Sequence, residues 1–212
     1  MKTEFIVVRH GETDANVNGI LQGQSDTQLN ERGIRQAEQV AGRLKNDHFD
    51  FIFSSDLARA METARLIAEP HHLPVRKLHA LREWNLGKFQ GRKLDDLKQQ
   101  CPEIIAAFHS EIGDVRIPGG ESRFDFYQRV ADCLDEMPER FAGKRILLVS
   151  HGGVLRAVFH HIAGPVSACS RLPLTGNASV SSFRYVDGFW QLTSWNDTSH
   201  LRVSGENESM LF

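Results

Sequence analysis

The sequence predicts an α/β fold, a three-layer α/β/α sandwich around a mostly parallel sheet with an antiparallel edge. Two observations support this prediction. Short, wholly apolar runs at residues 5–8, 51–53 and 146–149 alternate with amphipathic stretches, as expected for strands buried on both faces of a parallel sheet. Near the C-terminus, two segments of alternating polarity flank Asp187-Gly188, a pair typical of a tight hairpin turn, which predicts the antiparallel edge.

Two helices are predicted in the first half of the chain, after a Gly/Asn/Gln/Ser-rich loop at 11–28. The first spans 31–45, is capped by Asn30 and has an apolar stripe formed by Ile34, Ala37, Ala41 and Leu44. The second follows the strand at 51–53, is capped by Asp56 and has an apolar stripe formed by Leu57, Ala60, Ala64 and Ile67. A third short strand is expected near 75–78.

The second half predicts a small helical flap at about 90–120, with a helix from 93 to 111 interrupted at Pro102 and closed by Pro118-Gly119-Gly120. A further helix follows at 121–136, and another runs from the strand at 146–149 to about residue 162. The apolar side of the 121–136 helix is expected to consist of Phe124, Val130, Cys133, Leu134 and Met137. We expect one domain over 1–212, ending in a poorly ordered polar tail at about 197–212.

Composition excludes several classes of function. With 25 Lys and Arg against 27 Asp and Glu, the net charge of −2 provides no basic field for nucleic acid or an anionic membrane. No apolar stretch approaches the roughly 20 residues of a membrane span. The three cysteines are widely spaced and odd in number, which predicts reduced thiols and a cytoplasmic protein. A small anionic ligand and self-association into a homo-oligomer remain open.

Charged and polar residues stand where three predicted strands end. The first strand leads into Arg9-His10-Gly11-Glu12, and the strand at 146–149 leads into Ser150-His151-Gly152. Arg59 begins the helix that follows the strand at 51–53. Because ligands of open parallel sheets collect at the carboxyl ends of strands, two imidazoles and two guanidiniums should converge there. Arginine suits bidentate phosphate recognition, and the glycines would let backbone N–H groups approach an anion, so phosphate is the predicted ligand.

These motifs together resemble those of the histidine phosphatase superfamily, the phosphoglycerate mutase-like proteins. The segment Val8-Arg9-His10-Gly11-Glu12-Thr13 matches the motif that defines this family. The other matches follow in the family's order up to about residue 163, and they are Asn16, Gln22-Gly23, Asp26-x-x-Leu29, Ser54-Ser55-Asp56-Leu57-x-Arg59, Thr63-Ala64, Leu81-x-Glu83, Gly87-x-Phe89-x-Gly91, Gly120-Glu121-Ser122 and Val149-Ser150-His151-Gly152.

The resemblance implies a two-step phosphoryl transfer without metal or cofactor. His10 would attack phosphorus and become phosphohistidine, while Arg9, Arg59 and His151 would bind the phosphoryl oxygens. Glu83 would protonate the departing alcohol oxygen and then activate water, which requires it to be protonated part of the time near neutral pH. The remaining phosphate and substrate contacts would come from Asn16, Gln22, Gly23 and the Gly152 N–H.

Some of these residues also have plainer interpretations. Glu83 could form a surface ion pair with Arg82. The adjacent pairs His71-His72 and His160-His161 lack metal-ligand spacing, so they predict no metal site. The aromatic residues near Glu83, which are Trp84 and Phe89, are expected to form core or pocket wall.

The segment that follows Glu83 distinguishes two reactions. Mutases of this superfamily usually have a longer insertion with paired basic residues. Here the segment at 90–118 is short and contains no arginine pair. The sequence therefore predicts a phosphomonoesterase for small phosphorylated metabolites, similar to the broad-specificity and α-ribazole phosphate enzymes. Phosphoglycerate mutase is the alternative. Met61 stands where some relatives have another basic residue, so substrate specificity is not transferred.

A non-catalytic binding module of the same fold is the alternative from another class. Members of the superfamily that have lost catalysis generally lack one of three residues. All three, His10, Arg59 and His151, are present in this chain. The sequence therefore favours an enzyme.

Overall fold

A six-stranded sheet lies at the centre of the protein. The computed structural model describes residues 1–102, 116–164 and 175–204. The strands are β1 (Lys2–Arg9), β2 (Phe51–Ser54), β3 (Val75–Lys77), β4 (Arg145–Ser150), β5 (Val180–Val186) and β6 (Phe189–Asp197). They are ordered β3-β2-β4-β1-β5-β6, and the first four in that order are mutually parallel. β5 and β6 are antiparallel to their neighbours, which confirms the mostly parallel sheet with an antiparallel edge.

Helices cover both faces of this sheet. They are α1 (Asp14–Val17), α2 (Glu31–Leu44), α3 (Ala58–Ala68), α4 (Leu94–Gln100), α5 (Arg123–Arg140) and α6 (Gly152–Ala163). One core cluster packs α5 and α6 against the sheet, and a second packs α2 and α3 against the opposite face. The three-layer α/β/α sandwich is therefore confirmed.

The apolar run of β1 is continuous because its side chains enter both cores. Phe5 and Val7 belong to the cluster that contains α5 and α6, whereas Ile6 and Val8 belong to the cluster that contains α2 and α3. Since successive side chains of a strand point to opposite faces, a strand covered on both sides needs an apolar residue at every position.

The two helix caps predicted in the first half have different outcomes. The side chain of Asn30 accepts a 2.8 Å hydrogen bond from the Gly33 N–H, so the predicted cap of α2 is confirmed. The cap predicted for Asp56 is wrong, because its carboxylate accepts two 2.6 Å hydrogen bonds from Arg82. The Ala58 N–H donates instead to Asp26, at 2.7 Å. Consequently the plainer interpretation of Glu83 as the ion-pair partner of Arg82 is also wrong.

Two residues predicted to be in the core are exposed. Ile34 is 39% exposed and Phe124 is 64% exposed. In α2 the buried face is rotated away from Ile34 and consists of Gly33, Gln36, Ala37, Val40 and Leu44. In α5 the cap is Ser122, and the apolar face begins at Phe126 instead of Phe124.

The rotation of α2 follows from a close backbone contact. Gly33 packs against the residues that follow β1, and a Cβ added to Gly33 would lie 2.0 Å from the Glu12 carbonyl oxygen. A Cβ added to Gly11 would in turn lie 2.3 Å from the Gly33 carbonyl oxygen. Only residues without side chains permit this approach, so the contact sets both the position of α2 and the path of the chain after His10.

The hairpin turn forms as predicted, whereas the tail and the flap differ from the prediction or are described only in part. Asp187 and Gly188 both have positive φ, 51° and 90°, as the predicted tight turn requires. The tail is ordered further than expected, because Ser199–Ser204 form a 3-10 helix and Leu201 packs against the core. Of the predicted flap, α4 is present, while residues 103–115 lie outside the described ranges, as does the tail beyond 204. None of the described helices is both long and apolar enough to cross a bilayer.

Substituting the two glycines of α2 separates close packing from helix propensity. Gly33→Ala should lower the free energy of unfolding by about 1–3 kcal/mol, because its Cβ would overlap backbone. Gly42→Ala is the matched control, since a Cβ at Gly42 meets nothing within 4 Å, and it should be stabilising by about 0.5–1 kcal/mol. Urea denaturation measures both. Equal stabilities of the two variants would contradict the proposed contact.

Candidate active site

Two histidines lie side by side at the carboxyl edge of the sheet. His10 follows β1 and His151 follows β4, and the register of these parallel strands pairs Arg9 with Ser150. The backbone N–H of His10 donates to the Ser150 carbonyl at 2.9 Å, and the centroids of the His10 and His151 rings are 5.1 Å apart. The structure thus brings together the two histidines that the sequence placed at strand ends.

The hydrogen bonds of His10 define its tautomer. Its Nδ1 lies 2.7 Å from the Gly11 carbonyl oxygen, which can only accept, so Nδ1 carries the proton. Arg59 Nε donates to His10 Nε2 at 3.3 Å. Nε2 therefore presents its lone pair to the arginines, and it is the ring atom able to act as a nucleophile.

Arg59 is buried and is oriented by the loop that precedes α2. One of its terminal nitrogens donates to the Ser25 carbonyl at 2.8 Å and to Thr27 Oγ1 at 3.2 Å. The other donates to the Gly23 carbonyl at 2.7 Å. These bonds fix a guanidinium beside His10, although its side chain is only 1% exposed.

Arg9 is part of the same cluster and has a donor without an acceptor in the described part of the chain. Its Nη1 donates to the Thr175 carbonyl, whereas its buried Nε has no partner in the described part of the chain. Nδ1 of His151 is likewise buried and unpartnered there, while its Nε2 lies 2.8 Å from Ser55 Oγ. Buried polar atoms without partners are costly, so these two are candidates for contact with a ligand.

Burial and mutual repulsion control the charges of this cluster. Burial lowers the pKa of both Arg9 and Arg59 to about 10, partly opposed by the carboxylate of Glu83. Burial, reinforced by the neighbouring arginines, lowers the pKa of both His10 and His151 well below its ordinary value. Near neutral pH the arginines are therefore charged while both imidazoles are neutral. An anion is the ligand that such a site favours.

Glu83 faces this cluster from the loop between β3 and α4. One carboxylate oxygen accepts the Trp84 N–H at 2.9 Å, and the other accepts the Gly153 N–H at 3.0 Å. A Cβ added to Gly153 would lie 2.1 Å from Glu83 Oε1, so a side chain at position 153 would displace the carboxylate from this position. The sequence analysis singled out Gly152 and missed Gly153. The signal for Gly153 was the pair of glycines that follows His151.

The residues expected to bind phosphate or substrate are placed around the loop after β1. Asn16 Oδ1 accepts the Thr13 N–H at 3.1 Å, and Gln22 Oε1 accepts from the Thr13 hydroxyl at 3.1 Å. The carbonyl of Gly23 accepts from Arg59, as described above. Gly152 begins α6 next to Arg9, since a Cβ added there would lie 3.4 Å from Arg9 Nε.

One expected role of a glycine is wrong. The Gly11 N–H donates to Thr63 Oγ1 at 3.1 Å, so it is not directed at an anion. Gly11 is instead required by its contact with Gly33. Thr63, which the sequence placed only in a supporting motif, thus fixes the backbone next to the nucleophile.

Asn177 was missed because no regular pattern marks its loop. Its side-chain amide donates to the carbonyls of His10 at 3.1 Å and Gly11 at 3.3 Å. It also donates to Asn16 Oδ1 at 3.3 Å. Asn177 therefore connects the backbone of His10 and Gly11 to Asn16 in α1.

The other histidines and aromatic residues have separate surroundings. His161 lies 2.9 Å from Asp135, and the ring of His160 packs against Tyr127. Trp84 stacks on Phe126, with centroids 5.5 Å apart, and Phe89 is buried in a small separate cluster. Within the described ranges, no three His, Cys, Asp or Glu side chains are arranged as metal ligands.

Comparisons with known proteins agree with this geometry. The profile of the histidine phosphatase superfamily, branch 1, matches residues 5–198. The chain is 40% identical over 206 residues to a metal-independent phosphoserine phosphatase of Arabidopsis thaliana, covering 96% of this chain and 85% of that protein. It is 38% identical over 211 residues to a probable phosphoglycerate mutase of Yersinia pestis, covering 97% and 98%.

A solved structure extends the similarity to three dimensions. The structure of a mycobacterial glucosyl-3-phosphoglycerate phosphatase with VO3 superimposes with a TM-score of 0.83 at 33% identity, covering 92% of this chain and 99% of that one. The profile match, the identity to full-length relatives and the shared fold all point to the same group. The chain belongs to branch 1 of the histidine phosphatase superfamily.

Proposed function

We propose that the protein is a phosphomonoesterase that hydrolyses small phosphorylated metabolites through a phosphohistidine on His10. One observation above all supports this. The unprotonated Nε2 of His10 faces a cluster formed by Arg9, Arg59 and His151, with the carboxylate of Glu83 nearby. Such a cluster binds the phosphoryl oxygens and presents phosphorus to a neutral nucleophile.

The first step transfers the phosphoryl group to the enzyme. Nε2 of His10 attacks phosphorus, and the bond between phosphorus and the ester oxygen breaks. The departing alcohol oxygen takes a proton from the carboxyl group of Glu83. Arg9 and Arg59 stabilise the charge on the phosphoryl oxygens throughout, as positioned cations do in phosphoryl transfer.

The second step regenerates His10. Glu83, now a carboxylate, takes a proton from a water molecule, whose oxygen attacks phosphorus. The bond between phosphorus and Nε2 breaks, and inorganic phosphate leaves. Glu83 is thereby protonated again, so the cycle consumes one water and needs no other reactant.

The proposed substrate class rests on the relatives. Proteins similar to this one are described as phosphatases of phosphoserine and of glucosyl-3-phosphoglycerate. Both are phosphate esters of aliphatic alcohols on small metabolites. We therefore infer an alkyl phosphate as the substrate.

Phosphoglycerate mutase is the second candidate, because a relative 38% identical to this chain is described as a probable enzyme of that kind. A mutase needs cations that bind the carboxylate of its substrate. Three basic residues of the 90–118 segment have other partners: Arg92 donates to Gln100, Lys98 pairs with Asp95 at 2.9 Å, and Arg116 pairs with Asp125 at 3.6 Å. This pairing supports hydrolysis as the main reaction.

The non-catalytic alternative is disfavoured by the arrangement of the site. A module that only binds phosphate has no need of a carboxylate beside the nucleophile. Here Glu83 is oriented by two backbone N–H groups, those of Trp84 and Gly153. The geometry therefore supports an enzyme.

Labelling tests the nucleophile. Brief exposure to a ³²P-labelled phosphomonoester should yield acid-labile, base-stable label on the wild type, with or without EDTA. His10→Ala should give no label and lose several orders of magnitude in turnover, because the two-step route is removed. His161→Ala, which alters a surface histidine paired with Asp135, is the matched control and should label normally. Normal labelling of His10→Ala would refute the assignment.

Leaving-group dependence tests the general acid. Glu83→Gln should slow enzyme phosphorylation by an alkyl phosphate such as glycerol phosphate by about 10²–10⁴-fold. Phosphorylation by p-nitrophenyl phosphate should change far less, since its phenolate scarcely needs a proton. Quenched-flow measurement of the first turnover reports the rate of enzyme phosphorylation, because hydrolysis of the intermediate comes after that step. Equal slowing with both esters would exclude Glu83 as the acid. The control is Glu62→Gln, which alters a carboxylate on the surface of α3.

Product analysis separates the two candidate reactions. With 3-phosphoglycerate as substrate, release of inorganic phosphate should exceed formation of 2-phosphoglycerate, because no paired cations are expected to retain the product next to phosphohistidine. ³¹P NMR follows both products in one sample. Faster isomerisation than phosphate release would establish the mutase instead.

A further inference from the structure

Arg129 of α5 lies behind the loop that carries Glu83, and all five of its N–H donors have acceptors. Its Nη1 donates to the carbonyls of Ala80 at 2.8 Å and Arg82 at 3.0 Å. Its Nη2 donates to the carbonyl of Glu83 at 3.4 Å and to Glu121 Oε2 at 2.9 Å. Its Nε donates to Glu121 Oε1 at 2.8 Å. With every donor engaged by the protein, Arg129 has none left for a substrate.

Glu121 extends this contact to the residues after Glu83. The same Oε2 that accepts from Arg129 also accepts the Asn85 N–H at 2.9 Å. The Glu121 N–H donates to the Asn85 carbonyl at 3.0 Å, and Trp84 Nε1 donates to the Glu121 carbonyl at 3.1 Å. Together, Arg129 and Glu121 bind the backbone or side chain of nearly every residue from 80 to 85.

An aromatic stack supports the same loop. The indole of Trp84 lies parallel to the ring of Phe126, at an angle of 3°. The guanidinium carbon of Arg129 lies 5.2 Å from the centroid of that ring. The ion pair of Arg129 with Glu121 is thus partly shielded, each side chain being 21% exposed, and it is worth more than an ion pair in open solvent.

We propose that Arg129, paired with Glu121, is a positioning residue for the general acid Glu83, an inference that rests on the function proposed above. Arg129 binds the backbone of residue 83 from behind, while the carboxylate in front accepts from Trp84 and Gly153. The side chain is therefore located by contacts on both sides of the loop. A displacement of about 1 Å at such a group can lower the rate about 10²-fold.

Lysine cannot replace arginine in this position. Its three donors radiate from one nitrogen, whereas the acceptors here are three carbonyls and two carboxylate oxygens around a planar fork. Arg129→Lys should keep the charge opposite Glu121 but lose contacts to the carbonyls. The loop should then move relative to Gly153 without loss of the fold.

The test compares two esters in four proteins: wild type, Arg129→Lys, Glu83→Gln and the double variant. Arg129→Lys should slow the first turnover with glycerol phosphate by about 10–10²-fold. With p-nitrophenyl phosphate, which needs little acid assistance, the change should be less than about threefold. In the Glu83→Gln background, Arg129→Lys should add almost nothing with glycerol phosphate, because the acid it positions is already gone. Arg140→Lys, at the exposed end of the same helix, is the matched control and should resemble the wild type.

Each outcome decides the inference. Ester-selective slowing that disappears in the double variant supports it. Equal slowing with both esters, while Glu83→Gln remains selective, overturns the role of Arg129 and leaves the proposed function intact. Equal slowing of both esters by Glu83→Gln itself refutes Glu83 as the general acid. The positioning role of Arg129 is then refuted as well. Should Arg129→Lys fail to fold, Glu121→Gln serves instead: it retains an acceptor for Asn85 but weakens the bond to Arg129, and the same ester selectivity is required of it.

Discussion

The register of β1 against β4 is the constraint on which the rest of this structure depends. These central parallel strands pair Arg9 with Ser150, so the residues that follow them, His10 and His151, leave the sheet next to each other. The register is itself fixed by the two cores, because a slip of one residue would turn every side chain of the strand to the opposite face. The contact of Gly11 with α2 then determines the direction in which the chain leaves β1. Arg59 and Glu83 approach a nucleophile whose place is already set.

The arginines and the histidines of the site differ in whether they carry a charge. Burial disfavours charge on all of them, yet the guanidiniums keep theirs because backbone carbonyls accept hydrogen bonds from them and because arginine is so strongly basic. The imidazoles respond instead by remaining neutral. The result is a pair of charged guanidiniums, partly balanced by Glu83, beside a neutral imidazole. The phosphoryl group of the proposed substrate would accept from the buried Nε of Arg9 and add the negative charge that this cluster favours.

Arg59 and Arg129 show how the same side chain can hold different parts of the site. Arg59 donates to carbonyls of the 23–25 loop and to the nucleophile, so it acts on the reacting centre from the side of α3. Arg129 directs all its N–H donors to Glu121 and to the loop that carries Glu83, so its proposed effect on Glu83 passes through that loop. In both cases a planar fork with five fixed donors joins backbone segments that no helix or strand connects. This explains how irregular loops hold a nucleophile and an acid in a defined relation.

The strands, most of the helices and the residues that meet around His10 could be predicted from the sequence. They could be predicted because they depend on local rules: a strand between two cores is apolar throughout, positive φ at a hairpin favours Asp187-Gly188, and ligand-binding residues follow parallel strands. The tertiary structure decided the partners. Asp56 binds Arg82 and not the start of α3, the N–H group next to Glu83 comes from Gly153, and Gly11 meets α2 instead of an anion. Each of these contacts joins residues distant in the chain, and local patterns do not encode which distant atoms will lie within 3 Å once the layers pack.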